Sequence, residues 1–325
     1  MLPDGRQSGL RARQWGRSGK ESTSKGSRYL SDKAVVTAAL RDSTAMQGAL
    51  SALGQIPPFS PVLTRVIATL AQEDVSFGKV ADLIEKDTVL AGNILGLVNS
   101  AMYGRTGTVS SVRQAISMLG ISKLRNAALG LSVAKMWSHL KTPPGWSMVR
   151  FNLHSVAVAL LADLLSQRLH VIYPEGAFTA GLFHDLGRLL IAVGIPAQHN
   201  RALALSREGF RALWECEEEI FQFTHAHVSA EALLVWNLPG QIQNAVCHHH
   251  SINSDSPQTL PGEIALSKLI GVADRCVHEM EISIDSVEPF EGDPLSLLER
   301  MGTHTEMKTV LEEFEVEFTA IRKFF

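Results

Sequence analysis

The sequence predicts an all-α protein, a multi-helix bundle. After Ser31, apolar residues recur at helical spacing almost everywhere. Capping residues, glycines and prolines punctuate those segments. No stretch alternates strictly between hairpin turns, as a sheet would require.

The elements follow in order. Residues 1–33 are rich in Gly, Ser and Arg, with Arg6, Arg11, Arg13, Arg17, Lys20, Lys25, Arg28 and Lys33 against only Asp4, Glu21 and Asp32. This predicts a disordered basic arm. It is either a solvated tail, the product of an over-extended start, or a tether to nucleic acid or to an anionic partner. Pro57-Pro58 and Pro61 mark the start of a helix with Val62, Leu63, Val66, Ile67 and Leu70 on it. Ser76 caps the next, with Val80, Leu83 and Ile84 on one face. Asp87 caps another through Leu90, Ile94, Leu95 and Val98 to Asn99, broken by Met102-Tyr103-Gly104. Ser110 or Ser111 starts a helix with Ala115, Ile116 and Leu119, closed by Gly120. Ser122 is read as the cap of a longer one through Leu124, Ala128, Leu131 and Ala134 to Trp137. Residues 120–134 resemble a helix-turn-helix only loosely. Lys123 and Arg125 are their sole positive charges, so DNA binding is not expected.

Thr142-Pro143-Pro144-Gly145 is the clearest internal boundary. Beyond it, helices are expected at about 148–169, 177–183, 208–223, 225–236, 239–249, 262–280 and 304–323. The expected organisation is an arm over 1–33 and a domain over 34–280, with halves 34–141 and 146–280. A helical extension follows over 281–325. In that extension Leu311, Phe314, Val316 and Phe318 through Phe325 suggest a last amphipathic helix, packed on the domain or forming a dimer contact.

Composition sets limits. Apolar residues make up 45% and charged ones 19%, enough for a sizeable core. The net charge of -3 argues against a generally basic nucleic-acid binder. The three cysteines, Cys216, Cys247 and Cys276, are far apart and form no CxxC. They read as reduced thiols in a cytoplasmic protein. No apolar run approaches the roughly 20 residues of a membrane helix, and no signal peptide is visible. No membrane contact is therefore expected.

The chemically informative run is Phe183-His184-Asp185-Leu186-Gly187-Arg188, between an Ala-rich apolar helix and Leu189-Leu190-Ile191. A His-Asp doublet at a helix end is a natural corner of a divalent-metal site. His154 lies mid-helix, His225 and His227 start a helix, His248-His249-His250 end another, and Asp274 follows Leu269-Ile270-Gly271-Val272-Ala273. Converging, His154, His184, Asp185, His225, His249 and Asp274 would bind one or two divalent metals. A metal-bound water could then attack a phosphate ester. The alternative is a buried polar patch whose members hydrogen-bond one another and cap helices. At least one of the three consecutive histidines is expected to be a helix C-terminal cation, and Cys247 a buried small apolar residue. Arg188 could hold phosphate or pair with a nearby acid.

Taken together, these segments resemble the HDOD family, the HD-related output domain of bacterial signalling proteins. The resemblance covers about residues 56–274. It rests on Ile56-Pro57-Pro58-Phe59, Leu90 to Gly104 with Asn99-Ser100-Ala101-Met102-Tyr103-Gly104, Val109-Ser110-Ser111, Ala115 to Gly120 and Leu124-Arg125-Asn126. It continues in His154-Ser155, Gly181 to Arg188, His225, Leu233 to Pro239 and His248-His249. The resemblance implies an all-helical fold related to HD-superfamily phosphohydrolases and a non-catalytic output or interaction role. It implies a signalling protein partner, with a nucleotide as a candidate ligand.

His154, His184, Asp185 and Asp274 match the superfamily's metal-ligand order. His225 and His248-His249 resemble added ligands of the HD-GYP branch. Arg150 stands where that branch tends to have Glu, Ser251-Ile252-Asn253 replaces its Gly-Tyr-Pro motif, and Arg188 replaces the usual Lys. An inward-pointing Arg150 would repel metals. The rival expectation is a metal-dependent phosphohydrolase acting on a nucleotide or phosphodiester. It would use iron, manganese or zinc, with Asp185 and Arg188 as candidate catalytic residues.

Overall fold

The computed structural model describes residues 38–57, 59, 61–68, 77–99, 109–137, 140–250, 262–285 and 293–325. The chain divides into two units, Met1–Ala34 and Val35–Phe325, and all described residues lie in the second. The expected basic arm, the Ser76 cap, the break at Met102-Tyr103-Gly104 and the segment Ser251-Ile252-Asn253 lie outside the described residues. Among those residues there is no strand, only an isolated parallel bridge between Val171 and Ile264. The all-α expectation is met.

The first half contains α1 (Ala38–Arg41), α2 (Thr44–Ser51), α3 (Pro61–Ala68), α4 (Phe77–Glu85), α5 (Thr88–Val98), α6 (Val112–Leu119) and α7 (Ile121–Trp137). Asp87 caps α5 as expected, accepting from the N–H groups of Val89 at 3.1 Å and Leu90 at 3.0 Å. Of the two candidate serines, Ser111 caps α6, accepting from Gln114 N. Ser122 is not the cap of α7. Gly120, at φ +83°, turns the chain so sharply that the helix begins at Ile121 and Gly120 O accepts its first bond.

Helices α4 to α7 enclose one core, with Val80, Ile84, Ile94, Val98, Ile116 and Leu124 in it. The other side of α7 sends Leu129, Val133 and Trp137 into a second, larger core. Buried on two sides between these cores, α7 shows no single amphipathic stripe. Lys123 pairs with Glu317 and Arg125 is half-buried, so the loose helix-turn-helix likeness displays no free cationic face.

The second half comprises α8 (Met148–Ser166), α9 (Ala177–Phe183), α10 (Leu186–Gly194), α11 (Pro196–Gly209), α12 (Leu213–Phe221), α13 (His225–Val235), α14 (Gly240–Cys247) and α15 (Leu266–Glu279). Then come α16 (Pro294–Leu298) and α17 (His304–Ile321). The sequence reading missed α10 and α11 and merged the end of α11 with α12. Phe210 is the reason: it ends α11 in the left-handed region, at φ +48°, a position where Gly or Asn would have signalled a stop. Helix α8 is the central rod, buried from Val156 to Ala162, and it packs on α9, α15 and α17.

This centrality corrects the expectation about membrane-length runs. Met148–Ser166 and Pro174–Gly194 are long and apolar enough to cross a membrane, yet 72% and 94% of an 18-residue stretch of each is buried inside the protein. Helix α17 lays Phe314, Phe318 and Ile321 against the domain, whereas Val316, expected on that apolar face, is exposed.

Candidate metal centre

The site is assembled from helix ends meeting around α8. Helix C-termini leave carbonyls without intrahelical donors. At the end of α9, His184 donates its Nδ1–H to Gly181 O at 2.7 Å. Just past α14, His249 donates its Nδ1–H to Val246 O at 2.6 Å. Both contacts satisfy an orphan carbonyl and turn Nε2 away from the helix. His154, within α8, donates Nδ1–H to Ile282 O at 2.8 Å. His225, the first residue of α13, donates Nδ1–H to the Glu217 carboxylate at 2.6 Å. A carbonyl can only accept, so these contacts assign the proton to Nδ1 in His154, His184 and His249.

The four Nε2 atoms converge on two carboxylates. His154 and His184 Nε2 are 3.3 Å apart, and lie 3.2 and 3.5 Å from Asp274 Oδ1. Both are 3.6 Å from Asp185 Oδ2. The other oxygen, Asp185 Oδ1, is 3.0 Å from His225 Nε2 and 3.9 Å from His249 Nε2. Asp185 therefore stands between two sets of imidazoles, one oxygen to each. It occupies the N-cap position of α10 but makes no side-chain cap bond, because its carboxylate is turned to the cluster.

The six expected ligands are thus brought together, all of them 5% exposed or less. Sequence reasoning missed several supports. His250 Nε2 lies 2.8 Å from His225 Nε2, so this residue belongs to the cluster rather than to the surface of α14. Its ring also stacks on Trp214. His278 clamps Asp274 through Nδ1 at 3.0 Å. Ser229 on α13 accepts Gly187 N–H at 2.7 Å and donates to His184 O at 2.8 Å, stitching the His-Asp turn to the neighbouring helix. Cys247 is buried, as expected.

The two arginines are both tied down. Arg188 is buried and bonded to Asp185 Oδ2 at 3.2 Å and to Asp285. Of the two roles expected for it, the acid pair is the one present. Arg150 is held by the segment after α15. Its guanidinium donates to Ser283 O at 2.9 Å and Ser283 Oγ at 3.1 Å. The segment after α15 is thus held to the centre at Ile282, Ser283 and Asp285.

The electrostatics split the histidines. Burial pulls every imidazole toward neutrality. In His225 the carboxylates of Glu217 and Asp185 outweigh it and push the pKa up to about 10. In His184 burial is likewise outweighed, by Asp185 and Asp274. His249 goes the other way, down to about 3, through burial and the neighbouring His184 and His225. Asp185 and Asp274 are held well below the usual carboxylate range. Burial opposes this, but the charges of His184, Arg188 and His225 at Asp185, and the charge of His278 with hydrogen bonds from His154, His184 and His278 at Asp274, outweigh it.

The donor set passes a chemical test for a metal. Imidazole nitrogens and carboxylate oxygens suit borderline divalent cations. His249 Nε2 is buried with no hydrogen-bond partner among the described residues, a costly state for a polar atom that a ligated ion would relieve. Each inward Nε2 is backed by an acceptor on Nδ1, the outer support usual for ligating histidines.

Beside the cluster, buried His199 on α11 gives a pH prediction. Burial lowers its pKa to about 4. Between pH 6.5 and 4 the unfolded chain takes up a proton there and the folded one does not, so stability falls as pH falls through that window. The loss is on the order of 3 kcal/mol. Urea unfolding of His199→Leu across this window should show a shallower pH slope than wild type. An unchanged slope would dismiss the assignment.

Residues 56–252 match the HDOD domain family. An uncharacterized protein of Treponema pallidum (strain Nichols) is 21% identical over 272 residues, 82% of this chain and 50% of that protein. The chain thus spans about half the length of the curated relative it matches. Three solved structures are similar in fold. An HDOD domain protein of unknown function from Geobacter sulfurreducens has a TM-score of 0.68 at 23% identity, covering 86% of this chain and 96% of its own. A candidate phosphohydrolase from Shewanella amazonensis has 0.66 at 20%, covering 87% and 98%. A candidate signal transduction protein from Marinobacter aquaeolei has 0.68 at 19%, covering 88% and 66%.

Proposed function

The chain belongs to the HDOD domain family, and from that membership we propose that it is a cytoplasmic signal-transduction output module whose buried centre binds divalent metal without turning over a substrate. In this reading His154, His184, Asp185 and Asp274 hold one ion, and Asp185, His225 and His249 a second. Iron, manganese or zinc suits these donors. The observation that supports metal binding most is the convergence of four imidazoles, each with Nδ1 committed to an acceptor, on the two oxygens of Asp185 and on Asp274.

An output role is favoured over turnover by Arg188. The cation expected to hold phosphate is buried and engaged by Asp185 and Asp285 instead. The state of the centre would be read out by contact with a protein partner, with Val89 and Met118 the exposed large apolar side chains among the described residues of the first half.

The intact ligand set favours one rival, a metal-dependent phosphohydrolase acting on a nucleotide or phosphodiester. A bound ion would then supply an acidified water and Lewis acidity. Arg188 would have to exchange Asp285 for phosphate.

Elemental analysis of protein purified without tag or chelator, followed by assays on nucleotides and a chromogenic phosphodiester, separates the readings. The expected result is one or two equivalents of metal and no hydrolysis above that of Asp185→Ala. Hydrolysis that disappears in that variant would establish the phosphohydrolase. A chain that neither contains nor takes up metal would remove the centre from either account.

A further inference from the structure

We infer that Glu217 is a positioning residue for metal at one half of the centre: it orients His225 and strengthens it as a ligand beside Asp185, His249 and His250. The inference rests on the metal-binding reading above. Glu217 sits on α12, which contributes no candidate ligand, and its side chain is fully buried. Its Oε2 accepts both the backbone N–H of His225 at 2.8 Å and the Nδ1–H at 2.6 Å.

A buried carboxylate is expensive unless it is paired, so its presence calls for a reason. Capping α13 accounts for only one of its bonds, the one from the His225 N–H. Thr224 and His227 already close the N-terminus of this helix as a reciprocal capping box. What Glu217 adds is charge on one imidazole. His154, His184 and His249 each present Nδ1–H to a neutral carbonyl, whereas His225 presents it to a carboxylate. A carboxylate there fixes ring orientation, keeps the proton on Nδ1 and makes Nε2 a stronger donor. The two sets of imidazoles on either side of Asp185 are therefore unequal. One is supported by peptide carbonyls alone, the other by an anion eight residues upstream of its ligand.

Glu217→Gln keeps size and one acceptor oxygen but removes the charge. Calorimetric titration of the metal-free full chain with Zn²⁺ should show two binding events in wild type. In the variant one should weaken about 10–100-fold while the other stays in place. A melting temperature unchanged without metal would show that the effect is not a general loss of fold. Two events of unaltered affinity in a folded variant would overturn the role of Glu217 and leave the metal reading standing. A wild-type chain that takes up no Zn²⁺ would overturn both.

The wild type offers a second readout, should the variant not fold. Histidine ¹⁵N NMR of the Zn²⁺-loaded chain should show His225 protonated at Nδ1 and metal-bound at Nε2. Coordination through Nδ1 would overturn the inference.

Discussion

Replacing Asp185 with alanine is expected to abolish metal uptake at both halves of the centre and to destabilise the fold by about 3–5 kcal/mol. Both effects come from one carboxylate that faces two ways. Its Oδ1 meets His225 and His249, and its Oδ2 meets His154, His184 and Arg188. Truncation leaves the buried positive charges of Arg188 and His225 without the anion they share. Burial then acts on them with only Asp285 left beside Arg188 and only Glu217 beside His225, and breaking a buried ion pair in this one-sided way is costly. Urea unfolding in the presence of a chelator measures this part. Metal linkage measures the other. Wild type should gain about 2.7 kcal/mol when free metal is a hundredfold above its dissociation constant, and the variant should gain nothing. A loss below about 1 kcal/mol in chelator would mean that Asp185 is not the keystone of the cluster.

Gly187→Ala should be as damaging, for a steric reason. A β-carbon at this position would lie 2.0 Å from the His225 carbonyl oxygen, 2.8 Å from its carbon and 2.9 Å from Ser229 N. All three are backbone atoms of α13, so no side chain can swing aside. The helices must separate, which breaks the Gly187 N–H to Ser229 Oγ bond and moves Asp185 away from His225. Overpacking typically costs about 1–3 kcal/mol where neighbours can adjust, and more than about 3 is expected here. Gly92→Ala is the control. It sits inside α5 with nothing within 4 Å of a β-carbon, so alanine should stabilise by about 0.5–1 kcal/mol through helix propensity. Thermal or urea unfolding of the pair should move in opposite directions. A Gly187→Ala variant as stable as wild type would disprove the close approach.

Much of the fold was legible in the sequence because caps and periodicity are local. Asp87, Ser111 and Gly120 mark their helix ends in the chain itself. Phe210 does not, since a bulky, exposed side chain carries no signal for the left-handed turn it adopts, and the boundary between α11 and α12 was lost with it. Ser122 misled for the opposite reason: a residue well suited to capping lay two residues past a glycine that turned the chain first.

At the centre, the ligand types and their order are sequence properties. His154, His184, Asp185, His225, His249 and Asp274 could be named from helix ends, apolar faces and family resemblance. The sequence also determined an all-helical chain with enough apolar residues to bury a rod such as α8. Only the tertiary structure decided the rest: that Asp185 stands between two sets of imidazoles, that His250 joins them while Arg150 turns to Ser283, and that Glu217 on α12 and Ser229 on α13 support ligands carried by other helices. The reason is range. A cap or a stripe is fixed by neighbours within about one helical turn, whereas which nitrogen faces inward depends on acceptors that the chain brings together only when its helices pack.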